Sequence, residues 1–294
     1  ALTGRVHVYH GPDYTVPPRF APAVVTVHDL SYVTRPQDAH PAQRRFLERA
    51  VPASIHRSRL VVAVSESTKR DLIAHYRVPP ERIRVIPNAA PDWFGPVTDE
   101  AILARTRRRL DLPARFILSV GTIQPRKNLG ALAAAAASLN RTRQKPIAVI
   151  HAGREGWLCG DVYRAVEAAS PGAVRFIGHP DDATLQALYT LATVCAFPSF
   201  AEGFGLPILE AFACDCPVVT SRAPGTAEVA GDAALLADPQ DPAALAEALT
   251  AIIDSPDLAG SLRAKGRRRR RDFSWRRSAQ AMLEVYREAA SGHP

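Results

Sequence analysis

The 294-residue sequence has only four cysteines, and their positions match no ligand or redox pattern. Cys214 and Cys216 make a C-x-C pair, while Cys159 and Cys195 stand alone, so neither a zinc site nor a redox C-x-x-C motif is predicted. The sequence also shows no basic start followed by an apolar run and a small-residue cleavage site. We therefore expect a protein of the reducing cytoplasm, with its cysteines as core or near-surface residues.

The sequence also lacks long apolar runs and linkers of biased amino-acid composition. The most apolar stretches, residues 132–139 and 185–200, are short or contain polar residues, so no segment of bilayer length is predicted. With 47% apolar and 22% charged residues, the chain can bury substantial cores. Its length exceeds one average domain, and we expect two domains.

Positive charge is in excess, with a formal net charge of +8. Such an excess indicates an anionic partner, which could be a nucleic acid, an acidic membrane surface or a phosphorylated small molecule. The densest basic block, residues 267–271, is typical of a solvated helix end. The alternative is a peripheral contact with the inner face of an anionic membrane. Nucleic acid is not expected, because no interleaved aromatics or known binding motif accompany the block.

Apolar runs rich in β-branched residues alternate with helical patterns, which predicts an α/β fold with parallel sheets. Predicted strands cover residues 6–9, 23–27, 60–64, 83–86, 116–120, 148–151, 174–177, 193–197, 218–220 and 234–236. Predicted helices cover residues 42–54, 66–75, 100–110, 242–253 and 277–289. Three prolines in residues 87–96 interrupt this rhythm and indicate a linker. We therefore expect domains at residues 1–95 and 96–275, followed by a helix at 276–294.

A segment with the chemistry of a phosphate cradle follows the strand at 116–120. Gly121 allows a tight turn close to a ligand, and Arg126 and Lys127 can oppose two phosphate charges. In open parallel sheets, ligands bind at this carboxyl edge. The alternative is an ordinary loop with exposed basic residues.

A second segment, residues 197–210, carries two carboxylates seven residues apart. Glu202 precedes a glycine-containing loop, and Glu210 lies within the helix that Pro207 is suited to begin. An acid among Gly, Phe, Leu, Pro and Ile is costly unless it accepts hydrogen bonds from a polyhydroxylated ligand. The alternative is an exposed acid or one that stabilises the helix start.

Taken together, these motifs resemble the retaining GT-B glycosyltransferases of family 4, also described as glycosyl transferases group 1. The resemblance covers nearly the whole chain. It rests on Glu202-x7-Glu210 after Pro198-Ser199, on Gly-Thr-x-x-Pro-Arg-Lys-Asn, and on four further segments: Val27-His28-Asp29, Val64-Ser65-Glu66-Ser67, Val85-Ile86-Pro87-Asn88 and Phe176-Ile177-Gly178-His179. The Pro-Arg-Lys-Asn form is similar to bacterial enzymes that add mannose or related deoxyhexoses to polysaccharide or lipid-linked acceptors.

The resemblance implies two Rossmann-like doubly wound domains and a nucleoside-diphosphate sugar, with GDP-mannose favoured, as donor. It implies that Arg126 and Lys127 bind the diphosphate in place of a metal, that Glu202 holds the transferred sugar and that Glu210 holds the ribose. By the same mapping, loop amides come from Gly203, Phe204, Gly205 and Leu206, the base lies near Gly178 and His179, and His28 lies near the sugar and phosphate.

The resemblance also implies strands ahead of Ala1, so we expect the amino-terminal, acceptor-side domain to be truncated here. An active hexosyltransferase is the leading hypothesis. A nucleotide-sugar-binding protein or subunit without turnover is the second, and another GT-B enzyme such as a phosphorylase or epimerase is the third. The paired Asp181 and Asp182 are interpreted as a helix cap and not as metal ligands.

Overall fold

The computed structural model describes residues 6–18 and 22–291, which fold into two compact units. One unit comprises Ala1–Asn88 with Ser274–Pro294, and the other comprises Ala89–Phe273. Each is built on one parallel sheet covered by helices. The predicted α/β class is therefore confirmed.

The sheet of the first unit has the order β1-β2-β3-β4, and all its strand pairs are parallel. The predicted first strand starts too early, because pairing with the neighbouring strand begins only at Tyr9 and Val6 is exposed. The other three strands lie within one residue of their predicted ends. Their bounds are β1 Tyr9–Gly11, β2 Ala23–Val27, β3 Leu60–Ala63 and β4 Ile83–Val85.

Helices cover both faces of this sheet, which explains why its strands read as continuous apolar runs. Val25 faces the cluster that includes Val51 of α2, whereas Val24 faces Val285 and Ala289 of α12. Period-two alternation thus sends neighbouring residues of one strand to different helices. The helices are α1 Ser31–Thr34, α2 Pro41–Arg57, α3 Glu66–Tyr76 and α12 Trp275–Ser291, with 3-10 turns at Pro36–Asp38 and Pro80–Arg82.

The sheet of the second unit has six parallel strands in the order β10-β9-β8-β5-β6-β7. Its strands are β5 Phe116–Val120, β6 Ala148–Ala152, β7 Val174–Phe176, β8 Val194–Phe197, β9 Val218–Ser221 and β10 Ala234–Ala237. Its helices are α4 Glu100–Arg109, α5 Leu129–Asn140, α6 Cys159–Ala169, α7 Asp182–Leu191, α8 Leu206–Ala213, α9 Pro224–Ala230, α10 Pro242–Asp254 and α11 Pro256–Arg270, with a 3-10 turn at Pro125–Lys127.

The strand order reverses between β5 and β8, because β5 pairs with both β6 and β8. This is the order of the doubly wound dinucleotide-binding fold, in which ligands bind where the order reverses, beyond the carboxyl ends of the strands. The loops that leave β5 and β8 start at this point. They carry the two motifs that the sequence singled out.

The arginine block at the end of α11 is largely used in packing within the second unit. Arg269 donates to the Val229 carbonyl at 3.1 Å, and Arg270 donates to the Phe94 carbonyl at 3.1 Å. Arg267 forms an ion pair with an aspartate. Arg267, Arg269 and Arg270 thus bind α9 and two loops close to the helix end. No helix in the described part of the chain combines the length and apolarity needed to cross a bilayer.

The packing of α12 on the first sheet gives a testable expectation. Val285→Ala should lower the free energy of unfolding by about 1 to 2 kcal/mol, because it removes buried methyl groups from a side chain that is 3% exposed. Leu283→Ala is the matched control, since Leu283 on the same helix is 51% exposed. Urea unfolding followed by circular dichroism measures both variants. Equal losses would contradict the packing described for α12.

Candidate functional site

The loop after β5 turns sharply and brings two cations back over the sheet edge. Gly121 has φ +137°, and a Cβ there would lie 3.2 Å from Lys127 Cε, so glycine makes room for the lysine. The 3-10 turn Pro125–Lys127 follows, and Asn128 in the left-handed region at φ +59° leads into α5. The local backbone thereby sets where Arg126 and Lys127 point.

Asn128 fastens this loop to its neighbours. Its side-chain amide donates to the carbonyls of Pro198 at 3.1 Å and Pro239 at 2.7 Å. The Phe200 amide in turn donates to the Arg126 carbonyl at 2.8 Å. The loops after β5 and β8 are therefore held together through hydrogen bonds to backbone carbonyls, and Asn128 is a structural part of the site.

The carboxylate of Glu202 lies between the two predicted phosphate-binding cations. Arg126 Nη1 donates to Glu202 Oε2 at 2.6 Å, and Lys127 Nζ donates to Glu202 Oε1 at 2.6 Å. The three side chains are 8%, 16% and 11% exposed for Glu202, Arg126 and Lys127 respectively. Arg126 also donates to the Ala201 carbonyl at 2.9 Å. Residues from two loops thus form one nearly buried, hydrogen-bonded cluster.

This cluster keeps Glu202 ionised. Burial alone would raise the pKa of Glu202, but the charges of Lys127 and Arg126, with the hydrogen bond from Lys127, lower that pKa to about 2. Two cations and one carboxylate leave a net positive charge at the carboxyl edge of the sheet. Such a cluster can both attract an anion and offer carboxylate oxygens to hydroxyl groups.

Gly225 of α9 packs closely against the backbone of Glu202. A Cβ on Gly225 would lie 2.0 Å from the Glu202 carbonyl oxygen and 3.2 Å from the carbonyl carbon of Gly203. Any side chain at Gly225 would therefore push the loop away from its present position. Gly225 was not among the predicted site residues, because its importance depends on an approach between segments distant in sequence.

The loop after Glu202 leads directly into α8. Gly203 and Gly205 are buried, Gly205 has φ +115°, and the helix begins at Leu206. The buried Phe204 ring packs edge-to-face on Phe273 with centroids 5.6 Å apart, so the ring is engaged in packing within the unit. The amides at the start of α8 suit an anion there.

Glu210 lies in α8 and receives a hydrogen bond from the Tyr189 hydroxyl to its Oε2 at 2.9 Å. Burial raises the pKa of Glu210, the nearby Asp182 charge acts in the same direction, and the Tyr189 hydroxyl opposes both. The geometry places Glu210 on the same helix whose start carries the Gly203–Leu206 loop. Its carboxylate is accordingly a half-buried acceptor, separate from the Glu202 cluster.

Three glycines lie side by side along this sheet edge. The Gly153 amide donates to the Gly178 carbonyl at 2.7 Å, and a Cβ on Gly153 would lie 1.8 Å from the Gly121 oxygen. Gly178 has φ +73°, and both Gly178 and His179 are exposed. We call Gly121, Gly153 and Gly178 the glycine ledge. It links the predicted base region to the phosphate loop through backbone contacts.

Beneath the ledge, His151 holds the phosphate loop by its backbone. His151 Nε2 lies 2.9 Å from the Gly121 oxygen and therefore donates to it, so Nδ1 accepts from the Ser119 hydroxyl at 3.2 Å. Burial lowers the pKa of His151 to about 4, and the Lys127 charge acts in the same direction. The imidazole is neutral and fixes the position of Gly121.

His28 belongs to the first unit, whereas the other predicted site residues belong to the second. It follows β2, and its Nε2 donates to the Pro12 carbonyl at 2.9 Å. Tyr14 contacts the ring edge-on with centroids 5.6 Å apart. Asp29 binds Ser31 and not His28. The structure accounts for the orientation of His28, and its role in a reaction stays a prediction.

The Asp181 and Asp182 pair begins α7, as the helix-cap interpretation requires. Asp181 Oδ1 accepts from the Thr184 amide at 2.8 Å. Across residues 6–18 and 22–291, no group of three or more His, Cys, Asp or Glu side chains is arranged to hold a metal ion. The four cysteines are all free thiols.

Comparison with known proteins agrees with this arrangement. The sequence model described as "Glycosyl transferases group 1" matches residues 104–269, and the model described as "Glycosyltransferase Family 4" matches residues 4–92. Together the two matches cover most of both units.

Two curated relatives and one solved structure are similar along most of the chain. The O-antigen chain mannosyltransferase B of Escherichia coli is 31% identical over 96% of this chain and 74% of its own length. The D-inositol 3-phosphate glycosyltransferase of Salinispora arenicola is 34% identical over 92% of this chain and 64% of its own. The sucrose-phosphate synthase of Thermosynechococcus elongatus superposes with a TM-score of 0.75 at 28% identity, covering 92% and 68% of the two chains. The chain therefore belongs to the group 1, family 4 glycosyltransferases of the GT-B fold.

Proposed function

We propose that this chain is a retaining hexosyltransferase that moves a mannose-like sugar from a nucleoside-diphosphate donor to a saccharide or lipid-linked acceptor in glycan biosynthesis. The observation that carries the proposal is the cluster of Arg126, Lys127 and Glu202 where the strand order reverses. The name of the Escherichia coli relative supports mannose, and GDP-mannose is the favoured donor.

In this proposal, Arg126 and Lys127 bind the donor diphosphate. Breaking the sugar–phosphate bond places negative charge on the leaving diphosphate, and fixed cations in a nearly buried site stabilise that charge without reorganising. Each cation has more than one N–H donor, so a bond to Glu202 and a bond to a phosphate oxygen can coexist. These cations would do for the leaving group what a bound divalent ion does in other transferases.

The carboxylates and backbone amides would hold the rest of the donor. Glu202, kept ionised by its two partners, would accept hydrogen bonds from hydroxyls of the transferred sugar. Glu210 would accept from the ribose, and the amides of residues 203–206 would face the diphosphate. Gly178 and His179 would lie near the base, and His28 near the transferred sugar.

The same proposal assigns the acceptor and the donor to different domains. Residues 1–95 would receive the acceptor, residues 96–275 the donor, and residues 276–294 would return to the first domain. Peripheral contact of the 267–271 block with an anionic membrane stays a prediction from net charge, since Arg267, Arg269 and Arg270 bind groups within the second unit.

A thermal-shift panel tests donor binding. We expect one of GDP, UDP, dTDP or ADP, or its sugar conjugate, to raise the melting temperature with and without EDTA. At one hundred times Kd, the added stability is about 2.7 kcal/mol. Arg126→Ala should abolish the shift, and Arg143→Ala is the matched control, because Arg143 forms an ion pair with Asp254 in the same unit. No shift with any nucleotide, or equal losses in both variants, would contradict the proposal.

The ion pairs of Glu202 predict a pH-dependent loss of stability. Because the pKa of Glu202 falls from about 4.5 to about 2 on folding, the stabilisation is complete above pH 4.5 and lost as pH falls toward 2. Glu202→Gln should thus lower the free energy of unfolding by about 3 kcal/mol at pH 7. The difference between wild type and variant should be about 1 kcal/mol smaller at pH 3.5. Urea unfolding of both proteins at the two pH values measures this difference. A gap that stays constant would argue against a lowered pKa.

Gly225→Ala should disturb donor binding through Glu202. Its new methyl group would displace the Glu202 carbonyl, 2.0 Å away, and we expect nucleotide affinity to fall roughly tenfold. Gly260→Ala is the control, since a Cβ at Gly260 meets nothing within 4 Å. That helix-interior change should add up to about 1 kcal/mol of stability and leave affinity unchanged. Calorimetric titration with the nucleotide identified by the thermal-shift panel measures the affinity of both variants. Unchanged affinity in Gly225→Ala would show that close packing of Gly225 on Glu202 is not needed for binding.

A further inference from the structure

The carboxylate of Glu210 has one oxygen engaged and one available. Oε2 accepts from the Tyr189 hydroxyl at 2.9 Å, the one side-chain hydrogen bond to Glu210 among the described residues. Oε1 receives no hydrogen bond from that part of the chain and is not sealed from solvent. A carboxylate with one oxygen fixed by the protein presents the other in a defined direction.

Tyr189 is placed to hold that oxygen rigidly. Its side chain is fully buried in α7, and its ring packs edge-to-face on Phe94 with centroids 6.0 Å apart. The helix itself is anchored at its start by the Asp181 cap. The hydroxyl therefore cannot move away from Glu210 without repacking the surrounding core.

The surroundings of Glu210 offer little else to hold a charge. Burial raises the pKa of the Cys195 and Cys214 thiols, and the nearby Glu210 charge acts in the same direction. Asp182 acts on Glu210 with a like charge. Burial favours the protonated acid, whereas the Tyr189 hydroxyl favours the carboxylate. Without that hydroxyl, the group would be both less ionised and less fixed.

We propose that Tyr189 is a positioning residue for ribose recognition, whose hydroxyl holds Glu210 Oε2 so that Oε1 accepts hydrogen bonds from the 2′- and 3′-hydroxyls of the donor nucleotide. This inference rests on the proposed function, in which Glu210 faces the ribose. It assigns the selection of a ribonucleotide over a deoxynucleotide to a pair of residues on two helices. Tyr189 itself touches no substrate.

The test compares ribonucleotides with deoxynucleotides. GDP and UDP are titrated against wild type and Tyr189→Phe, each beside its 2′-deoxy and 2′,3′-dideoxy form. We expect wild type to prefer the ribonucleotide roughly tenfold or more, and Tyr189→Phe to lose most of that preference. Affinity for the dideoxy form should change less than about twofold, because that ligand makes no bond to Glu210.

A matched control removes the same group elsewhere. The Tyr163 hydroxyl donates to Glu155 at 2.8 Å, and its ring packs edge-to-face on Phe176, so Tyr163→Phe deletes an equivalent tyrosine–glutamate bond. Its ribose preference should equal that of wild type. Glu210→Gln should lose the preference for the ribonucleotide. The double variant with Tyr189→Phe should bind the ribonucleotide no more weakly than Glu210→Gln alone, because both substitutions act on the contact between Glu210 and the ribose.

Each outcome is decisive. If Tyr189→Phe weakens ribo- and dideoxynucleotides equally, or keeps the preference, Tyr189 is only a core residue and the inference fails. If wild type binds both nucleotide forms equally well, the ribose role of Glu210 fails while the donor site stands. If wild type binds none of GDP, UDP, dTDP and ADP, the proposed function itself fails and this inference fails with it.

Discussion

The second unit is organised around one buried set of ion pairs, in which Glu202 bridges Arg126 and Lys127. Neither cation nor carboxylate would be tolerated alone at such low exposure, because an unpaired buried charge costs several kcal/mol. The pairs require the loops after β5 and β8 to meet, and the reversal of strand order is what brings those loops together. Sheet topology and site electrostatics therefore depend on each other.

Around that cluster, the supporting contacts run mainly through the backbone. Asn128 binds two proline carbonyls, His151 binds the Gly121 carbonyl, and Gly225 leaves room for the carbonyl of Glu202. Backbone contacts fix a loop without using the side chains that face a ligand. The charged groups are thus positioned by residues that contact backbone carbonyls of the two loops and not the charged side chains.

Much of this could be predicted from the sequence. The alternation of apolar runs predicted nine of the ten strands closely, because strands buried on both faces leave a continuous signal, and the two motifs identified the residues of the Glu202 cluster. The supporting residues could not be predicted, since Tyr189, His151 and Gly225 act through contacts between distant segments. The start of β1 was missed for a similar reason: pairing with β2, not local hydrophobicity, decides where it begins.

The glycine ledge has a consequence for how such a protein changes over generations. A surface made of backbone atoms has no side chain to substitute, and any larger residue at Gly153 would collide with the Gly121 carbonyl. Under the proposed function, a change in nucleotide preference would therefore have to arise at the border of the ledge, at exposed positions such as His179.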